Sequence, residues 1–358
     1  MTRTPARLRP PPLPAPRGPL SAALVAALRG ERRTALPPVP ASCPAYGDDL
    51  HLALYTLYEL HYQGFEDVPD DTEWDAGLLS HRAALEDVFL RALVEDVPVD
   101  GTAARALDEL QREPVADDGH SVSHHLRDRG TLGQFREYAA IRSLYHLKEA
   151  DPHAWVIPRL YGRAKAAMVA VEYDEFGAGR PDEIHAELYA DLMTDLGLDT
   201  AYGHYVDAAP AEALATVNLM SLFGLHRALR AALVGHFAAV EVTSSPASRR
   251  LAEALRRAGA GAAAVRFYTE HVEADAVHEQ VVRHDVVGGL LEREPALDAD
   301  VVFGVRTTAY LENRLAARLL DAWRNGTTAL RPTDGRPGDP RADRGADPRA
   351  DGGAVRRR

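Results

Sequence analysis

The stretch Phe267-Tyr268-Thr269-Glu270-His271-Val272-Glu273-Ala274-Asp275-Ala276-Val277-His278 sets two imidazoles and a carboxylate at positions i, i+4 and i+7. At about 100° per residue these positions fall within an arc of ~60° on a helix, so His271, Asp275 and His278 point the same way. Two imidazoles and a carboxylate on one face supply half the coordination sphere of a non-haem metal site. They equally describe a histidine-bearing surface face with Asp275 as a solvated partner. Both readings put the segment on a helix, and the same spacing recurs on either side of it.

Residues 49–63, 79–95, 133–150, 155–175, 182–196, 211–242, 246–258, 262–293 and 298–324 carry apolar residues three and four apart. Stops are legible at Asp151-Pro152, at Gly177 and Gly179 before Pro181, and at Gly326 after Trp323. No stretch alternates with period two long enough for a strand, so the fold class is all-α. The polar segment 112–130, with Glu113-Pro114 and Asp117-Asp118-Gly119, reads as a linker. It separates a small N-terminal helical extension at 46–115 from a larger bundle at 116–330.

Both ends differ in composition from this body. Residues 1–45 are dense in proline, and 331–358 repeat Asp-Pro-Arg-Ala-Asp at 339–343 and 347–351, so both are expected to be disordered. Within the first, Leu20 to Leu28 is a short apolar stretch preceded by arginines. Prolines crowd the region before it, and Arg29, Glu31, Arg32 and Arg33 follow without a small-residue cleavage site. A signal peptide is therefore not expected, and the expected compartment is the cytoplasm. No apolar run approaches the roughly 18 residues of a membrane span, so no membrane partner is expected. The ends carry +6 (seven Arg, one Glu) and +3 (eight Arg, five Asp), so of the net −12 the body holds −21. Such a body repels phosphate backbones, which argues against nucleic acid as a partner.

One cysteine among 358 residues, Cys43, excludes an intrachain disulfide framework, a thiolate zinc site and a cysteine-ligated cluster. Any metal must use nitrogen and oxygen, and fifteen histidines are present. Val171-Glu172-Tyr173-Asp174-Glu175 ends one helix, Phe176 to Pro181 breaks it, and Asp182-Glu183-Ile184-His185 starts the next. Glycines and a proline between a carboxylate and an imidazole let both bend toward one centre. Asp182 and His185 share a face, although Asp182 is also a suitable helix cap. Glu149 ends a helix, where its charge is unfavourable for the dipole and a further partner is implied. Other polar residues read as structural. His236 and Glu241 are about 140° apart and form no pair, and His236 reads as a core histidine. His120, His124 and His125 read as surface, and Glu59 as structural or supporting. Arg142, two turns before Glu149, suits a buried carboxylate or an anionic substrate group.

The phrases Leu147-Lys148-Glu149-Ala150-Asp151-Pro152, Asp174-Glu175-Phe176-Gly177, Gly235-His236-Phe237-Ala238-Ala239 and His271 to His278 resemble those of haem-oxygenase-like diiron oxidases and oxygenases. More narrowly, the chain is similar to the group described as iron-containing redox enzymes, over roughly residues 130–325. The resemblance implies a seven-helix bundle that holds two irons where haem would lie. It implies Glu149, Glu175, His185, His271, Asp275 and His278 as ligands, with Asp182 at the position of a further carboxylate.

It also implies two Fe2+, dioxygen as co-substrate, and a small organic substrate that is amino-acid- or fatty-acid-like. The reaction would be N-oxygenation, desaturation or oxidative C–C cleavage. An external reductase or ferredoxin supplies electrons, since no cysteine cluster or dinucleotide fingerprint is present, and a homodimer is implied. The alternatives are a non-catalytic metal-binding helical protein and a haem-binding or haem-degrading relative.

Overall fold

The computed structural model describes residues 9–31, 36–112 and 117–333, with the side chains of Asp275 and Ala276 excepted. Helices in chain order are α1 (Pro19–Leu28), α2 (Asp48–Glu59), α3 (Ala76–Asp96), α4 (Ala103–Leu110), α5 (Val122–Asp128), α6 (Leu132–His146) and α7 (Asp151–Ala154). They continue as α8 (Gly162–Glu175), α9 (His185–Asp195), α10 (Ala211–Leu225), α11 (Arg230–Ala258), α12 (Ala262–Val281), α13 (Gly288–Arg293) and α14 (Asp298–Arg324). No strand occurs among the described residues, and the fold is an all-α bundle.

The helices bury their apolar stripes in two clusters. One gathers α1 to α4 against α8, α11 and the start of α14, through residues such as Leu24, Leu54, Phe89, Met168 and Val301. The other joins α5, α6, α9, α10 and α12 to the end of α14, through Ile141, Tyr189, Leu214, Phe267 and Leu319. The bundle is closed by a backbone-to-backbone crossing of α11 and α14. A Cβ on Gly235 would lie 2.1 Å from the Val301 carbonyl oxygen, and one on Gly304 would lie 2.0 Å from that of Ala232. Only glycine permits this approach.

Three expectations are corrected. The proline-rich N-terminus is not unstructured where it is described: Pro19–Leu28 is a helix whose Leu20, Leu24, Val25 and Leu28 are buried. Asp49 at the start of α2 accepts hydrogen bonds from Leu20 N (2.9 Å) and Ser21 N (2.8 Å), so a tertiary partner stabilises a helix that composition alone does not support. The polar segment 112–130 contains α5, whose His124 and His125 are buried rather than at the surface. His124 Nδ1 is 2.9 Å from Ser121 Oγ, and His125 stacks on Trp323. Finally, the break expected at 243–245 is absent. Helix α11 runs through Pro246, packed along both α12 and α14, and the chain breaks instead at 226–229. Residues 334–358 lie outside the described residues.

Among the described residues, no helix is long and apolar enough to cross a membrane.

Candidate metal centre

Two helices that carry candidate ligands, α9 and α12, are joined by a cap. Asp195, the last residue of α9, accepts hydrogen bonds from Gly261 N (3.1 Å) and Ala264 N (2.9 Å) at the start of α12. Its charge also suits the positive end of that helix. The α8–α9 connection then folds back sharply. Gly177 has φ +78°, and a Cβ there would lie 2.7 Å from Ile184 N, so the turn requires glycine. The turn brings His185 Nδ1 to 2.7 Å from Glu175 Oε2.

Two buried groups of possible ligand atoms result. One comprises Glu149, His185 and His271, and the other Glu175, Glu241 and His278, each with its ligand atoms within 4.8 Å of one another. Glu175 joins them. Its Oε2 faces His185 of the first group, and its Oε1 lies 3.5 Å from His278 Nδ1 of the second. Glu241 Oε2 is 3.4 Å from the same His278 nitrogen, and Glu149 Oε2 is 3.7 Å from His271 Nε2. Between the groups is a void of about 10 Å³ lined by Glu149, Glu175, Glu241 and His271, with Tyr145 and Phe237 contributed by the two cores.

The supporting contacts orient these rings. His271 Nδ1 is 2.7 Å from the Phe267 carbonyl and donates to it, which turns Nε2 toward Glu149 as the basic nitrogen. His278 Nε2 is 3.3 Å from Asp174 Oδ2, which leaves Nδ1 for Glu175 and Glu241. His146 Nδ1 holds Glu149 Oε1 at 2.9 Å. Burial raises the Glu149 carboxyl, but the imidazoles of His146 and His271 outweigh it and hold the group well below the usual carboxylate range. Burial likewise raises Glu175, which His185 brings below its ordinary value. Burial lowers His278, yet Glu241, Glu175 and Asp174 together push it up to about 9.

Of the residues expected from the sequence, the structure brings together Glu149, Glu175, His185, His271 and His278. Asp182 is exposed in the turn before α9, belongs to neither group and does not cap the helix, which starts after Ile184 with no side-chain cap. The Asp275 side chain lies outside the described residues. Sequence reading missed Glu241 and His146. A carboxylate in the apolar run Ala238-Ala239-Val240-Glu241-Val242 was the available signal for the first. His236, as expected, is a core histidine, with Nδ1 2.8 Å from Thr308 Oγ1. Glu59 is fully buried in an ion pair with Lys148.

These residues suit iron. The donors are imidazole nitrogens and carboxylate oxygens without sulfur, and their negative charges offset a pair of divalent ions. Glu149 Oε2 is buried without a hydrogen-bond partner among the described residues, and His185 Nδ1 approaches Glu175 without hydrogen-bond alignment. Both atoms are costly to bury in that state unless something else binds them.

Comparison with known proteins agrees. The sequence model of the family described as iron-containing redox enzymes matches residues 136–313, which contain all six residues of the two groups. The chain is also similar to the nitrosourea synthase of Streptomyces achromogenes subsp. streptozoticus, 26% identical over 218 residues. That alignment covers 59% of this chain and 46% of the relative, so the chain spans about half the length of the curated protein it matches. From the match, the bundle and its buried donors, the chain belongs to the haem-oxygenase-like family of iron-containing redox enzymes.

Proposed function

We propose that the chain is a non-haem diiron oxidoreductase that activates dioxygen to oxidise a small organic substrate. The observation that carries this reading is Glu175, whose two oxygens face one donor group each. A carboxylate so placed suits two metals held side by side rather than one. Glu149, His185 and His271 would hold one iron, and Glu241 and His278 the other, with Glu175 shared. Bound there as ferrous ions, the pair would supply electrons to dioxygen and an oxidant to the substrate, and an external donor would restore them.

The chain's own residues prepare the site. His146 fixes Glu149, the Phe267 carbonyl fixes the His271 tautomer, and Asp174 fixes that of His278. Phe267 packs against His271, Tyr189 against His146, and Phe237 against the buried His153 beside the site. A cavity that runs from the surface to Glu149 favours an enzyme over a purely structural metal site, which needs no access. The test is oxygen uptake by protein loaded anaerobically with ferrous ion. Rapid uptake by the loaded protein, abolished in Glu175→Ala while the fold persists by circular dichroism, supports the reading. Equal uptake by Glu175→Ala contradicts it.

A further inference from the structure

Helix α8 carries Glu175 on its inner face and an apolar stripe on its outer one. Val169, Tyr173 and Phe176, at i, i+4 and i+7, are 44, 56 and 40% exposed. Tyr173 is held in place by its donation to the Ala178 carbonyl at 2.8 Å. Val277, beside His278 on α12, is exposed as well. The exposed Asp174 meets His278 Nε2 at 3.3 Å, so one side chain separates this surface from the second donor group. At the start of α8 the charge is positive. Lys165 and Arg293 stand over the Tyr161 ring, at 5.7 and 5.2 Å from its centre. Arg159 and Arg227 add to them, close enough to repel each other. Asp285 and Glu292 reduce this charge only in part, since both pair with Arg163.

We infer that the outer face of α8 docks an acidic iron–sulfur protein that delivers single electrons through Asp174 and His278. An exposed apolar stripe with a charged margin is the make-up of an interaction surface. The substrate does not occupy it, because no residue of α8 lines the access cavity, which opens at Asp118 and His120 on α5 and the loop before it. Charge chooses the partner. A body that carries −21 repels an acidic protein over most of its surface, and the start of α8 attracts it, so the carrier is steered to this face. The helix is about 20 Å long, which suits the small contacts that redox partners make. Each encounter passes one electron from the reduced cluster of the carrier to a ferric ion, which becomes ferrous. Two encounters restore the pair, and no bond or proton is exchanged at the interface. The inference rests on the iron reading for the destination of the electron, but not for docking.

The probe is a plant-type [2Fe–2S] ferredoxin, which is acidic. Isothermal titration measures its binding to the full chain, metal-free and iron-loaded, at low and at physiological salt. Stopped-flow absorbance follows reduction of the air-oxidised, iron-loaded chain by the same ferredoxin, reduced beforehand, and by dithionite. Ferredoxin should bind both forms, and more weakly as salt rises. Lys165→Glu combined with Arg293→Glu should weaken binding by about tenfold or more. Val169→Asp, at an exposed helical position that spares the fold, should slow reduction by ferredoxin by a similar factor. Dithionite needs no docking, so its rate should hold in both variants. No ferredoxin binding, equal affinity in the charge-reversed variant, or a dithionite rate that falls in step with the ferredoxin rate overturns the inference. So does a dimer that these variants dissociate, or binding of phosphatidylglycerol vesicles in place of ferredoxin. Iron content of the same samples separates the two ideas. Two irons with reduction indifferent to these substitutions defeats this inference alone, whereas ferredoxin binding that depends on them without iron uptake supports docking and defeats the iron reading.

Discussion

Lys148 and Glu59 form an ion pair with side chains 1% and 0% exposed, and the pair joins α2 to the turn that presents Glu149. Tyr202 donates to the other Glu59 oxygen at 2.7 Å, and the Lys148 ammonium lies 4.3 Å from the Tyr62 ring centre. Replacing Lys148 with Met fills the space but leaves Glu59 as a buried charge with one hydrogen bond. Removing one partner of a buried pair costs about 3–5 kcal/mol, and the surviving Tyr202 bond places this case near the lower figure, about 3 kcal/mol. At about 2 °C per kcal/mol for a body this large, the melting temperature should drop by roughly 6 °C. Glu59→Gln with Lys148→Met removes both charges and should recover most of that loss. Thermal unfolding of the two singles and the double, followed by circular dichroism, measures the coupling. A Lys148→Met loss below about 1 kcal/mol, or a double variant no more stable than either single, would refute the assignment of a dry, mutually dependent pair.

Two further predictions use the same structure. Glu172, one turn before Glu175, is buried with neither oxygen hydrogen-bonded among the described residues, and burial together with Glu175 and Glu241 pushes it up to about 9. The unfolded chain releases this proton near the ordinary value of 4.5, so the folded state binds more protons between there and about 9, and stability falls as pH rises across that window. Glu172→Gln should therefore melt higher than wild type at pH 8 and show a flatter profile from pH 5 to 8.5; parallel profiles contradict this. Gly177→Ala should lose more than about 2 kcal/mol by urea unfolding, because positive φ and backbone overlap add. It should also retain less iron, because the turn carrying His185 must move. Gly179→Ala, whose Cβ would meet only Tyr173 Oη at 3.5 Å, should show the milder φ cost alone.

Much of this site could be read before the fold was known, for a physical reason. Helical spacing fixes direction within one element, so His271 and His278 were recognisable as sharing a face, and the glycines after Glu175 marked where a chain could return. Glu241 escaped because its partner in space, His278, is on a different helix and its own helix reads as apolar core. His236, five residues before Glu241, lies about 140° from it on the helix and gives no hint of its partner. Helix α1 escaped because its stability comes from Asp49 and the apolar face of α2, not from its own proline-rich surroundings. Asp182 shows the converse: a carboxylate three residues before His185 shares its face only if the helix has already begun, and here it starts after Ile184.

The proposed site is a pair of irons that would share Glu175. Mössbauer spectroscopy of the full chain, loaded with ⁵⁷Fe and exposed to air, tests it most directly. Two irons per chain should be magnetically coupled, with coupling lost in Glu175→Ala. One iron per chain, or two that behave as isolated ions in the wild type, would contradict it.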